Sequence, residues 1–304
     1  MRLLTITMTA ACLLTPLLCQ KSSDPFIGRW DITVTAGTSV YPDWLEVGQN
    51  GSALNVRIQP RGGSVRPVKE ARIEESHLIL TLNPGTMWDV TVDGDRLSGV
   101  QKRADKVTAQ LAGARAPELN RKPPKAWTKP EPLFNGKDLT GWEPDNPKTN
   151  HWVASDGVLL NESKGANLRS VRKFDDFKLH VEFNCPDDGN SGIYLRGRYE
   201  LQVEYVPEGR EDRYHMMGSI YGMVAPTVDV PRRPGTWESF DVTLVGRRVT
   251  IVRDGVKTID NQEIAGITGG AIDAHEGESG PFYFQGDHTG GMMYRNITIS
   301  VPKK

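Results

Sequence analysis

Apolar side chains in this chain recur at every second position over short runs, and helical spacing is nearly absent. In the first part, FIGRWDITV (26–34), WLEV (44–47), ALNVRI (53–58), HLILTL (77–82), MWDVTV (87–92) and VTAQL (107–111) carry this pattern between turn residues, which predicts strands. The same texture returns in WVASDGVLL (152–160), FKLHVEFN (177–184), SGIYLRG (191–197), YELQVEY (199–205), SFDVTLVG (239–246), VTIVRDG (249–255), PFYFQGD (281–287) and MYRNITIS (293–300). The stretches DGDR (93–96), VGRR (245–248) and RDG (253–255) supply hairpin turns. An all-β protein follows.

The strands fall into two groups. Six over residues 24–113 suit a small β-barrel, and Gly28 with Trp30 resembles the Gly-x-Trp opening of lipocalin-type barrels. Eight or more over residues 133–302 suit a two-sheet sandwich of the jelly-roll kind. Between them, ARAPELNRKPPKAWTKPEP (114–132) holds five prolines and no alternation, which predicts a stiff, solvated linker.

Composition narrows the context. The segment 1–20, MRLLTITMTAACLLTPLLCQ, has one early basic residue and an apolar run ending at small or polar residues, as in a secretory signal peptide. The run is too short, and too interrupted by Thr and Pro, for a membrane span, so export to the periplasm or beyond is expected, with no integral span in the mature chain. Cys12 and Cys19 lie inside it, leaving Cys185 alone and no disulfide framework. Acylation at Cys19 would need a small residue just upstream, where Pro16-Leu17-Leu18 stands instead. Lys plus Arg (37) balance Asp plus Glu (38), so no overall field favours nucleic acid, and a compact neutral partner fits better.

Alternation also sorts polar side chains onto faces. Lys178, His180 and Glu182 share one side of FKLHVEF, Tyr194 and Arg196 one side of SGIYLRG, and Glu200, Gln202 and Glu204 one side of YELQVEY. Arg196 and Glu200 would then meet across a tight turn, where the plain reading is a cross-strand ion pair. A second concentration, GPFYFQGDHTGGMMYRNITI (280–299), holds Gln285 and His288. The run DAHEGE (273–278) offers carboxylates to a hard cation, or is simply a solvated acidic loop, and Arg247-Arg248 beside a turn is expected to face water. The histidines show no zinc-type spacing, and no Ser nucleophile elbow, P-loop or dinucleotide fingerprint occurs.

Seven blocks carry a family resemblance: LFNGKDLTGW (133–142), WVASDGVL (152–159), FDDFKLHVEF (174–183), NSGIYLRG with YELQV (190–203), GSIYG (218–222), PGTWESFDV (234–242) and GPFYFQGDHTGGMMYRNI (280–297). Over residues 133–301 the chain resembles the 3-keto-disaccharide hydrolase domain, a concanavalin-like jelly roll. The resemblance implies a substrate whose glucosyl ring is oxidised to a ketone at C3, which acidifies the hydrogen at C2. Removing it lets the glycosidic oxygen on C1 leave, and water addition completes a net hydrolysis without the carboxylate pair of ordinary glycosidases. Such a route needs a base near C2, a partner for the enolate oxygen and groups that hold the hydroxyls.

Carried over residue by residue, the resemblance places Arg196, Glu200 and Gln202 at the centre, with Gln285 and His288 closing the site. Glu200 or His288 is the base and Arg196 the oxyanion partner; Glu182, Asn190, Tyr194 and Tyr221 are further sugar ligands. A divalent cation on the ketone is an additional option, for which the sequence names no ligand set. The chain departs from the family pattern where Thr289 follows His288 in place of glycine. The competing readings are a non-catalytic, lectin-like carbohydrate-binding module and an adhesion role carried by the N-terminal barrel.

Overall fold

The computed structural model describes residues 25–303 except 52, 84, 208, 210 and 211. The signal-peptide reading of residues 1–20 and the acylation reading of Cys19 lie outside the described residues.

Among the described residues the N-terminal part builds one antiparallel sheet from β1 (Gly28–Ala36), β2 (Ser39–Asn50), β3 (Ala53–Gln59), β4 (Arg66–Pro67), β5 (Glu70–Glu74), β6 (His77–Asn83), β7 (Thr86–Asp93), β8 (Arg96–Arg103) and β9 (Lys106–Arg115). Its order, β4-β3-β2-β1-β9-β8-β7-β6-β5, is a meander that curls into a half-barrel around Trp30, Ile32, Val34, Leu45, Leu78, Leu80, Trp88 and Val90. The turn at DGDR joins β7 to β8, with Asp93 opposite Arg96 and Gly94 in the left-handed region. Strand β8 escapes the alternation because Gly99 stands at an inward position. A Cβ there would lie 2.2 Å from the Asp89 carbonyl oxygen, so the neighbouring backbone takes the place of a side chain.

The C-terminal part contributes β10 (Glu131–Pro132), β11 (Trp142–Pro144), β12 (Trp152–Ser155), β13 (Val158–Asn161), β14 (Leu168–Ser170), β15 (Phe177–Asn184), β16 (Asn190–Leu195), β17 (Tyr199–Glu204), β18 (Trp237–Val245), β19 (Arg248–Arg253), β20 (Val256–Glu263), β21 (Tyr283–Phe284) and β22 (Met292–Ser300). One sheet runs β12-β13-β22-β15-β18-β19-β20 with β10 against β22, and the other β11-β14-β21-β16-β17. They stack as a jelly-roll sandwich. Phe177, Leu179, Val181 and Phe183 of β15 meet Ile193, Leu195, Leu201, Val203 and Phe284 of the facing sheet. Aromatic pairs tighten the core, Phe183 on Phe240 at 4.6 Å and Phe177 on Phe282 at 4.7 Å between ring centres. No helix among the described residues is long and apolar enough to cross a membrane.

The half-barrel packs on the outer face of the five-stranded sheet. Trp44 of β2 is fully buried against Ile267 and Ala271, and Gly266 lets it approach, since a Cβ there would lie 2.2 Å from the indole nitrogen. The Gly62 N–H donates to the Gly269 carbonyl at 2.6 Å, and Ser64 Oγ bonds His215 Nε2 at 2.5 Å. Beneath this contact Arg247 donates to Glu276 at 2.6 Å, and Tyr199 Oη donates to the same carboxylate at 2.7 Å. Both expectations hold in part, with Arg248, His275 and Glu278 exposed, and are corrected at two residues. Arg247 is buried rather than facing water, and Glu276 of the DAHEGE run is buried in a structural contact with it. Local sequence could not show this, because the covering sheet comes from a part of the chain about 200 residues away.

Candidate active site

Strands β16 and β17 pair so that Asn190 faces Glu204, Gly192 faces Gln202 and Tyr194 faces Glu200. Residues directly opposite on an antiparallel pair point to one face. Ile193, Leu195, Leu201 and Val203 go into the sandwich core, which leaves those six positions on the outer face. Gly192 is the gap in this patch. A Cβ there would sit 2.6 Å from Glu200 Oε1 and 3.0 Å from Gln285 Oε1, so its absence allows two side chains to converge. On the next strand, β21, Tyr283 pairs with Tyr194, and the Gln285 N–H just beyond it donates to the Gly192 carbonyl at 3.0 Å.

These groups floor a cavity of about 680 Å³, the size class of a ligand larger than one sugar ring. Asn190, Tyr194, Glu200, Gln202, Glu204, Tyr283 and Gln285 line it from below, Asp287, His288, His215 and Tyr221 from the sides, and Val40, Tyr41, Pro42, Arg61 and Gly62 from the half-barrel. Tyr194 Oη donates to Glu200 Oε2 at 2.6 Å and accepts from Gln285 Nε2 at 3.0 Å. Gln202 Nε2 donates to Glu204. The remaining oxygens of both amides, Gln202 Oε1 and Gln285 Oε1, are buried without a protein partner. Unpaired buried acceptors are costly, and beside a cavity they are open to donors from water or a bound molecule.

The cavity also tunes charge. Burial pushes the Glu200 carboxyl up to about 7, partly opposed by the Tyr194 phenol and the nearby His288, while Glu204 and Asp287 add to the rise. Burial likewise raises Glu204, and burial with the adjacent Glu200 holds the Tyr194 phenol well above its ordinary value. The bond from His288 Nδ1–H to Asp287 Oδ1, 2.7 Å long, raises the imidazole above its ordinary value and lowers Asp287. Asn167 braces this corner. Its Oδ1 accepts from the Gly286 N–H at 2.8 Å, and its Nδ2 donates to Asp145 at 3.1 Å.

Seven of the nine residues singled out from the sequence converge here: Glu200, Gln202, Gln285, His288, Asn190, Tyr194 and Tyr221. Arg196 does not. Its φ of 55° puts it in the left-handed region of the turn, where the extended alternation that would have set it beside Glu200 no longer holds. Its side chain is buried on the far side of the sheet, against Tyr199 Oη at 3.3 Å, the Gly246 carbonyl and Asp175 at 3.4 Å. No Arg196–Glu200 ion pair forms, and Glu200's cross-strand partner is Tyr194. Glu182 is also elsewhere. It lies on the opposite outer face of the sandwich, bonded to Arg295 and Asn296 at 2.7 Å each.

Sequence reasoning passed over Glu204, Tyr283, Asp145, Asn167 and Asp287. For Glu204 and Tyr283 a signal existed, since each stands two residues from a chosen position and shares its face. Tyr41 and Arg61 carried none. Among the described residues no group of three or more His, Cys, Asp or Glu side chains is arranged to hold a metal ion.

Comparison with known proteins completes the picture. Residues 129–300 match the family described as the 3-keto-alpha-glucoside-1,2-lyase-like domain. Among solved structures, the chain is similar to a Parabacteroides distasonis protein whose glycosyl hydrolase assignment is provisional, at 26% identity and a TM-score of 0.49, covering 61% of this chain and 96% of that one. A second provisional glycosyl hydrolase of the same organism shows 22% identity and a TM-score of 0.47, with 56% and 92% covered. The carbohydrate binding module CBM66 of Bacillus subtilis shows 14% identity and a TM-score of 0.36, with 54% and 97% covered. No curated protein matches the chain. With a match across more than half of its 304 residues, the chain belongs to the 3-keto-alpha-glucoside-1,2-lyase-like domain family.

Proposed function

We propose that this protein cleaves 3-keto-glucosides, with Glu200 as the base that removes the proton at C2. The observation that carries the reading is a buried carboxyl raised to about 7, facing a cavity beside two unpartnered amide oxygens. A base with a pKa near the working pH is both available and strong enough. Glu200 takes the C2 proton, and the C–H electron pair becomes the C2–C3 double bond of an enolate with its charge on the C3 oxygen. That pair then forms the C1–C2 double bond as the C1–O bond breaks, and the leaving oxygen takes a proton. Addition of water, hydroxyl to C1 and hydrogen to C2, gives the free 3-keto sugar.

The oxyanion role that the resemblance gave to Arg196 passes to His288. Its imidazole lines the cavity, the bond to Asp287 favours its protonated form, and that form is charge-matched to an enolate oxygen. Gln202 and Gln285 accept from ring hydroxyls through their free oxygens. Export of the chain belongs to the same proposal and rests on the pattern of residues 1–20.

The test incubates purified protein with 3-keto-glucosides, with and without added divalent metal, and follows loss of the keto sugar and release of the leaving group. Turnover that Glu200→Gln abolishes is expected. Measurable sugar affinity with no turnover of any keto sugar would overturn the enzyme reading in favour of a binding module.

A further inference from the structure

Two carboxyls meet where the half-barrel sits on the sandwich. Asp31 of β1 is 8% exposed, Glu276 in the loop before β21 is fully buried, and the two side chains bond to each other. Two groups of the sandwich close around them. Arg247, at the turn between β18 and β19, donates to Glu276 Oε2 at 2.6 Å, and Tyr199 of β17 donates through its hydroxyl to Glu276 Oε1 at 2.7 Å. Trp44 and Ala114, the cross-strand neighbours of Asp31 on β2 and β9, bring no charge. The other charged groups of these elements are engaged elsewhere: Arg29 with Glu46 and Glu263, Arg196 with Asp175, and Arg198 with Asp273, while Arg248, His275 and Glu278 are exposed. Among the described residues, a single guanidinium therefore stands against two buried carboxyls.

Two carboxyls hydrogen-bond to each other only with a proton between them. Both Glu276 oxygens already accept bonds, so that proton belongs to Asp31. Asp31 Oδ1 is buried with no protein partner, so nothing on the half-barrel side is placed to hold an ionised Asp31. Burial and the neighbouring Glu276 charge push the Asp31 carboxyl up to about 9, in agreement with this arrangement.

We propose that a proton shared between Asp31 and Glu276 latches the half-barrel onto the sandwich, so that the cavity holds its half-barrel wall most firmly while that proton is kept. Losing it places two like charges in one buried contact, and separating the sheets hydrates both. The wall concerned includes Val40, Arg61 and Gly62, carried by the same sheet as Asp31. The seat of Trp44 against Ile267 and Ala271 does not titrate, so the proton sets the strength of docking rather than its existence. Docking raises this carboxyl, so its contribution is full below the ordinary carboxylate range, declines as pH rises and is gone above about 9.

The test follows docking in the full-length protein by amide hydrogen exchange of β1, β2 and residues 265–277, corrected for the chemical exchange rate, in wild type and Asp31→Asn. The asparagine amide donates to Glu276 without a bound proton. His215 and the cavity carboxyls titrate alike in both proteins and cancel in the ratio. Wild-type protection relative to the variant is expected to fall about tenfold per pH unit around neutrality, the slope of one linked proton. A ratio that stays level overturns the latch. The carboxyl carbon resonance of Asp31 gives a second readout that needs no variant, and it should be that of a protonated group at neutral pH, titrating at about 9. An Asp31 already ionised at neutral pH overturns the proposal, and this titration decides alone if Asp31→Asn does not fold.

Discussion

Glu182 on β15 and Glu200 on β17 both occupy outward positions of alternating strands, one on each outer face of the same sandwich. Their fates differ. At Glu182 burial is the largest single influence, but the bonds from Asn296 and Arg295 with the charges of Arg295 and His180 together outweigh it, so the carboxyl is held below its ordinary value. At Glu200 burial dominates and carries the carboxyl up to about 7. The difference comes from what lies above each face. The half-barrel covers the Glu200 face and encloses a cavity, whereas Glu182 keeps water and permanent partners. The two positions show that a carboxyl on a polar strand face is raised when another sheet removes its solvent without supplying its hydrogen bonds.

Removing the carboxylates one at a time gives the largest contrast. Glu200→Gln should lower kcat/KM on a 3-keto-glucoside by about a thousandfold, within the range of a lost general base, and leave a cooperative thermal transition. Glu182→Gln should leave turnover per folded molecule unchanged. Comparable losses from both would erase the distinction between the faces.

The contact that closes the covered face is the next target. Arg247→Ala strands Glu276 in the buried interface, where Asp31 already faces it and is raised by burial and by that neighbouring carboxylate. Breaking such a pair costs about 3–5 kcal/mol, which urea denaturation would register as a lower midpoint. An Arg247→Ala protein as stable as wild type would show that the interface does not depend on this network. Arg196→Met belongs to the same class: it should lower stability and spare the chemical step, contrary to a role at the oxyanion.

pH separates the faces more finely. kcat/KM should fall at higher pH as the His288 imidazole loses its proton, and on the other side, because the base must be ionised, it should rise with pH through about 7. Tyr194→Phe removes the donor that favours the ionised form, so this limb should move to higher pH with a loss of roughly tenfold at neutrality. A limb that stays in place would detach Tyr194 from the base. Stability carries the same signature with the sign reversed. Because folding raises this carboxyl, Glu200's contribution is fully present below the ordinary carboxylate range and is lost as pH rises through about 7. Urea midpoints of wild type and Glu200→Gln should therefore diverge as pH increases across that window.

Alternation in FKLHVEFN and YELQVEY was enough to place the strands and to separate core from outer face, because side-chain period in an extended backbone is local geometry. It also put Gln202 and Glu200 on one face, and the block order over 133–297 pointed to the family that residues 129–300 match. Where the backbone leaves the extended region the same reasoning fails, and Arg196, at φ 55°, is the instance. Which outer face is covered, why Arg247 and Glu276 are buried, and that Val40 and Arg61 line the same cavity as Glu200 depend on two sheets meeting across more than a hundred residues of chain. Local pattern determines which way a side chain points. What it points at is decided by tertiary packing, because burial and field at a position are set by whatever the rest of the chain brings to it.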